Sequence, residues 1–164
     1  MNIHTSPLDN TWQQTDYYVF RSDDDYWSAA SIISLPKPLA ATAEEALTYL
    51  LQRIYSEAEH ATNPEPPSGN KLFDWAIAYG CIDSPTGKTI LPGTSTKNVL
   101  ETIAGILESP GAQLFINKQE VPLSQPITLE GVQKVTAFAN QWNEMQYLIE
   151  TTTAWIYFDW GTMV

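Results

Sequence analysis

Runs rich in aromatic and β-branched residues stand at both ends of the chain, and patterns with helical spacing lie between them. Tyr17, Tyr18, Val19 and Phe20 dominate residues 15–22, and Trp155, Ile156, Tyr157, Phe158 and Trp160 dominate residues 146–160. Such side chains suit a pleated, half-buried surface, so strands are expected at 15–22, 26–34 and within 146–160. Asp23, Asp24 and Asp25 interrupt the first two runs, and adjacent carboxylates are best solvated in a turn, which makes the pair a hairpin. Thr151, Thr152 and Thr153 mark the turn of a terminal hairpin. One long bent strand is the alternative, because no Asn-Gly or Asp-Gly is present there. Local strand pairing at both ends with helices between defines an α+β protein: a mostly antiparallel sheet with three or four helices packed on one face.

The helices follow from caps and spacing. Thr42 with Glu45 forms a capping box, and Ala46, Leu47, Leu50, Leu51, Ile54 and Tyr55 then recur along one stripe of a helix reaching about His60. Pro64, Pro66 and Pro67 make 61–70 a loop. The short apolar run over 71–79 fits either a buried helix or a strand, with a short helix favoured. A longer one is expected around Val99, Leu100, Ile103, Ala104 and Leu107, behind Thr94, Ser95 and Thr96 as caps. Residues 112–117 read as a strand and 118–126 as an irregular connection. Thr128 is then expected to cap a third full helix with Leu129, Val132, Val135, Phe138, Ala139 and Trp142 on its buried stripe, despite Gly131. No repeat and no second domain is visible, so 1–164 reads as a single domain with a polar leader over 1–14.

Charge narrows the partners. Eight basic against nineteen acidic residues leave a net charge of -11, which repels phosphate backbones and anionic lipid surfaces. Nucleic acid and membranes are therefore not expected partners; the same acidity suits solubility, the favoured reading, or a basic protein partner, or imitation of a phosphate polymer. Cys81 is the single cysteine, so no internal disulfide can form. No apolar run reaches the roughly 20 residues of a membrane span and the N-terminus lacks a basic region followed by an apolar stretch, so a cytoplasmic protein is expected.

No complete catalytic motif emerges. Gly87, Lys88 and Thr89 match the end of a phosphate-binding loop, but Ile82 stands where that loop needs its first glycine, and Pro85 removes a donor from the cradle. His4, His60 and Cys81 follow no metal-ligand spacing, and three consecutive aspartates lack the alternation of a calcium loop, so neither metal nor cofactor is expected. Cys81 with His60 as base is an arithmetical possibility. A lone cysteine among aromatic residues is more often a small buried apolar group. Glu44 and Glu45 read as first-turn charges, and Glu57 and Glu59 as a solvated helix face. In the last strand, alternation separates Trp155, Tyr157 and Asp159 from Ile156, Phe158 and Trp160. The second set is core. The first is either buried under helices or exposed as partner anchors, burial being the favoured reading.

Tyr147, Leu148, Ile149, Glu150, Thr151 and Thr152, followed by Trp155 through Thr162 with its closing Trp-Gly-Thr, resemble the C-terminal strands of small bacterial immunity proteins that neutralise polymorphic or contact-delivered toxins. The resemblance carries over no residue of known role. It implies a non-enzymatic, protein-binding inhibitor whose cognate partner is a toxin domain, basic when it attacks nucleic acid. Asp23, Asp24, Asp25 and Tyr26 are then the expected contact patch, since carboxylates steer a basic partner and an aromatic anchors it. The alternatives are a small hydrolase, which needs a polar-lined pocket between sheet and helices, and an adaptor, which needs a broad exposed apolar patch.

Overall fold

The computed structural model describes residues 10–21, 28–58, 65–84, 86–90, 94–107, 113–116, 119–121 and 129–162. In chain order its elements are β1 (Asp16–Arg21), β2 (Ser28–Pro36), α1 (Ala43–Glu57), α2 (Gly69–Ala78), β3 (Lys88–Ile90), α3 (Thr94–Leu107), β4 (Gln113–Ile116), β5 (Gln119–Val121), β6 (Val132–Gln141), β7 (Glu144–Thr151) and β8 (Ala154–Thr162). The strands form one eight-stranded sheet in the order β3-β6-β7-β8-β2-β1-β4-β5, and every neighbouring pair is antiparallel. The α+β class expected from the sequence is the class observed.

The two aromatic runs meet at the centre of this sheet. β2 pairs with β1 on one side, Tyr18 opposite Ile32, and with β8 on the other, Ile33 opposite Tyr157. The terminal run is a hairpin and not one bent strand. Its turn lacks glycine, but the Thr151 hydroxyl accepts from the backbone amides of Thr153 (3.2 Å) and Ala154 (2.9 Å), doing with a side chain what Asn-Gly does with backbone freedom.

Alternation along β2, β7 and β8 makes both sheet faces apolar, so both need cover. On one face Ile33, Leu35, Leu148, Trp155 and Tyr157 pack beneath Leu47, Leu50 and Leu51 of α1 and Leu72 and Ala76 of α2. On the other, Ile32, Ile149, Ile156 and Phe158 join Val99 and Ile103 of α3. The helices, expected on one face, are thus divided between two. Each large side chain buried this way stabilises the fold by roughly 1.5–3 kcal/mol relative to exposure.

Local chemistry explains α1 and its neighbours. The Thr42 hydroxyl accepts from the Glu45 amide (3.2 Å), and Glu44 and Glu45 lie in the first turn, where the helix dipole favours negative charge. Arg53 is buried on the helix, yet it donates to the Thr15 carbonyl (2.8 Å) and pairs with Glu57 (3.1 Å). It thereby ties the start of β1 to α1. The leader is not wholly detached, for Trp12 in the 3-10 turn Thr11–Gln14 packs against the α1 face of the core. Gln52 donates to the Pro67 carbonyl (3.1 Å), which fixes the far end of the proline-rich loop, and α2 begins at Gly69, inside the stretch read as loop.

The third helix expected behind Thr128 is instead strand β6. Val135, Ala137 and Ala139 are the buried residues, at the alternate spacing of a strand. Register shifts between Val132 and Lys134 and between Ala137 and Ala139 interrupt its pairing with β7. The stripe of Leu129, Val132, Val135 and Phe138 is helical in spacing only: in the sheet Val135 packs on the α3 face and Phe138 on the α1/α2 face, and Leu129 precedes the strand. Two short strands were also hidden: β3 inside a stretch broken by Pro and Gly, and β5 inside the expected irregular connection.

Candidate functional site

One end of the sheet gathers polar groups around a single buried amide. Gln146 on β7 has 0% exposure; its Nε2 donates to the Gly80 carbonyl (2.7 Å) and to Glu144 (3.2 Å), and its Oε1 accepts from the Asp83 amide (3.0 Å). The chain leaving α2 is thus clamped onto β7. Tyr157 completes the clamp by donating its hydroxyl to the Cys81 carbonyl (2.5 Å). Burial holds that phenol well above its usual range, with Asp159 next among the causes, so it stays a donor.

Three carboxylates meet at this clamp. Asp159 is pushed up to about 7, first by burial, then by the charges of Glu144 and Asp83. Glu144 is raised as well, by burial first and then by the charge of Asp83 and a hydrogen bond with it. Like charges this close cannot all ionise cheaply, so the cluster holds a proton near neutrality. It cannot supply a thiolate. Cys81 is buried, and burial followed by Asp159 pushes its thiol up to about 12.

Large apolar side chains stand exposed around the same end. Ile77 and Tyr79 lie at the close of α2, Tyr79 being 58% exposed, and Trp75 links Tyr55 to Tyr79 through ring contacts at 4.9 and 5.7 Å. Trp142 is 72% exposed. It occupies the two-residue turn between β6 and β7, two residues before Glu144, and not the buried helix stripe expected for it. Two-residue hairpin turns favour Gly, Asn and Asp, so an indole at this tip serves no need of the turn.

The remaining sequence candidates fall as follows. Asp23, Asp24, Asp25 and Tyr26, the expected contact patch, lie outside the described residues, as do His4 and His60. Lys88 and Thr89 belong to strand β3 and not to a phosphate cradle. Gly87 is required by close approach, since a Cβ there would collide with Thr136 and the Phe138 ring. Trp155 and Tyr157 are buried beneath the helices, as favoured, and Trp155 donates to the Lys37 carbonyl (3.2 Å) under the Lys37 ammonium. Glu57 is paired with Arg53. Among the described residues no three His, Cys, Asp or Glu side chains are placed to hold a metal ion, and no helix is long and apolar enough to cross a membrane.

Sequence reasoning missed Gln146, Glu144 and Asp159 as a group, because β7 and β8 bring Gln146 and Asp159 together only by pairing, and Asp83 joins them only through the loop after α2. The signal it had was a glutamine, a glutamate and an aspartate inside otherwise apolar strands. No family model, characterised protein or solved structure matches the chain. What the fold and this end of it define is an acidic α+β domain presenting exposed aromatic side chains beside a carboxylate cluster.

Proposed function

We propose that the chain is a protein-binding inhibitor of the immunity kind, which captures a basic toxin domain with the sheet end that carries Trp142, Tyr79, Asp83 and Glu144. The observation that carries the reading is the exposed indole of Trp142 at a turn that has no structural use for it. Trp and Tyr dominate the binding energy of protein interfaces when a partner buries them, and neighbouring carboxylates select a basic partner. The chain's charge of -11 favours the same partner at longer range.

The test is capture from the native cell with mass-spectrometric identification, followed by titration of the purified partner. A basic toxin domain is the expected catch. Trp142→Ser combined with Tyr79→Ser should weaken its binding at least tenfold while the circular dichroism spectrum is unchanged. A partner held equally well by the double variant, or a catch with no basic protein in it, defeats the reading.

A further inference from the structure

On the sheet face away from α1 and α2, a groove of about 700 Å³ lies between α3 and the β3–β6 edge. From α3 it is lined by Thr96, Leu100 and Ala104, which are spaced four residues apart and so share one stripe of the helix. From the sheet it is lined by Ile90 and Val132, with Leu129 shortly before β6. Val99 and Ile103 turn the neighbouring stripe of α3 into the core, and Ile90, Leu129 and Val132 pack against the same core from the sheet edge. Leu100, Ala104, Ile90, Leu129 and Val132 are each left half-buried, with protein on one side and the groove on the other.

The charged residues that border the groove leave it no net charge. Lys97 and Glu101 stand 3.7 Å apart on successive turns of α3 and cancel each other at the rim. Lys134 lies across from Glu150, which is itself opposite Trp155 of the α1/α2 face, so its ammonium belongs to the other side of the sheet. Gln133 reaches that side too, where its Oε1 accepts from Lys37 (3.5 Å), and Thr89 alternates with Ile90 along β3. Residues 89, 133 and 134 therefore offer the groove backbone and not side-chain charge. In a chain of net charge -11 this concavity is apolar and neutral. An ion entering it would give up water with no opposite charge to meet. Water itself is held poorly by such walls, since an ordered molecule needs about two to four polar partners. We infer that this groove is a binding site for an uncharged, predominantly apolar small molecule, held by Ile90, Leu100, Ala104, Leu129 and Val132. Its volume lies in the range of small-molecule sites, roughly 300–1,000 Å³, and displacing poorly held water from apolar walls favours the occupant. The inference does not rest on the capture of a basic protein, which is proposed for other side chains.

The test uses the full chain with two probes that share one ring skeleton: uncharged N-phenylnaphthylamine, and anilinonaphthalene sulfonate, which adds a single negative charge. Binding is followed by probe fluorescence and by amide chemical shifts. The neutral probe should bind saturably with a micromolar dissociation constant and with shifts centred on Ile90, Leu100, Ala104 and Val132. The sulfonate should bind the groove at least about tenfold more weakly, because nothing there repays the desolvation of its charge. Ala104→Trp, which fills the groove, should abolish binding of the neutral probe, and Leu100→Ser with Val132→Ser should weaken it about tenfold through lost apolar contact. Lys97→Ala should leave its affinity unchanged. Absence of neutral-probe binding, shifts centred elsewhere, equal occupancy of the groove by the sulfonate, or a tenfold loss in Lys97→Ala would each overturn the proposal. Should the groove-wall variants lose their fold, the charge contrast between the probes, the shift map and Lys97→Ala still decide the matter.

Discussion

Asp159 shows what a single residue contributes to this surface. In an unfolded chain an aspartate loses its proton near pH 3.8, whereas here burial, then Glu144 and Asp83, hold it on to about 7. Between those values the folded protein binds more protons than the unfolded chain, so stability falls as pH rises through that interval and then levels off. The raised Glu144 acts in the same direction. The effect is on the order of a few kcal/mol, since each pKa unit corresponds to about 1.4 kcal/mol. Thermal melts should give a higher Tm at pH 5 than at pH 8. Asp159→Asn should raise the pH 8 value and remove most of the difference, and an Asp159→Asn protein as pH-sensitive as the parent would show that the proton sits elsewhere. A carboxylate kept where it weakens the fold is understandable if the negative potential at this end is what the protein uses.

Among elements, the contrast between β6 and α1 explains what the sequence made legible. α1 carried its own proof in a Thr42 cap, an unbroken stripe of Leu and Ala, and proline beyond its end; nothing distant was needed to read it. β6 owes its conformation to partners at 88–90 and 144–151, which the spacing of its own side chains does not reveal. Gly131 was the signal that the helical spacing was allowed to outweigh. It weighs against a helix, and in the fold it takes φ of +70° in the turn before β6, with its Cα so close to Thr152 that an added Cβ would meet Oγ1 at 2.6 Å. Gly131→Ala should therefore destabilise by about 1–2 kcal/mol from backbone strain alone, and further because Thr152 must move. Gly105 on α3 has open space around its Cα, so Gly105→Ala should stabilise by up to about 1 kcal/mol. Urea denaturation would register the two as opposite shifts of midpoint, and a neutral Gly131→Ala would argue against the strand start described here. The same logic covers the site. Trp142 was visible as a residue but not as an exposed one, because its exposure depends on whether 132–142 is helix or strand.

At the scale of the whole molecule, the proposed capture of a basic partner would divide its work between charge and aromatic anchors. A net charge of -11 acts over the Debye length, about 10 Å at 0.1 M salt, and so would speed the encounter with the proposed basic partner without holding it. Trp142 and Tyr79, the exposed rings of the proposed interface, would act only in contact, where their removal from water slows escape. The two contributions separate kinetically. Raising salt from about 0.05 to 0.5 M should lower the association rate of a captured basic partner by tenfold or more and change dissociation little. Trp142→Ser should do the reverse, raising the dissociation rate while leaving association and its salt dependence nearly intact. Surface plasmon resonance across a salt series would read both. An association rate indifferent to salt would remove electrostatic steering from the account, and a Trp142→Ser variant that associates slowly but dissociates normally would move the anchoring contact away from the β6–β7 turn.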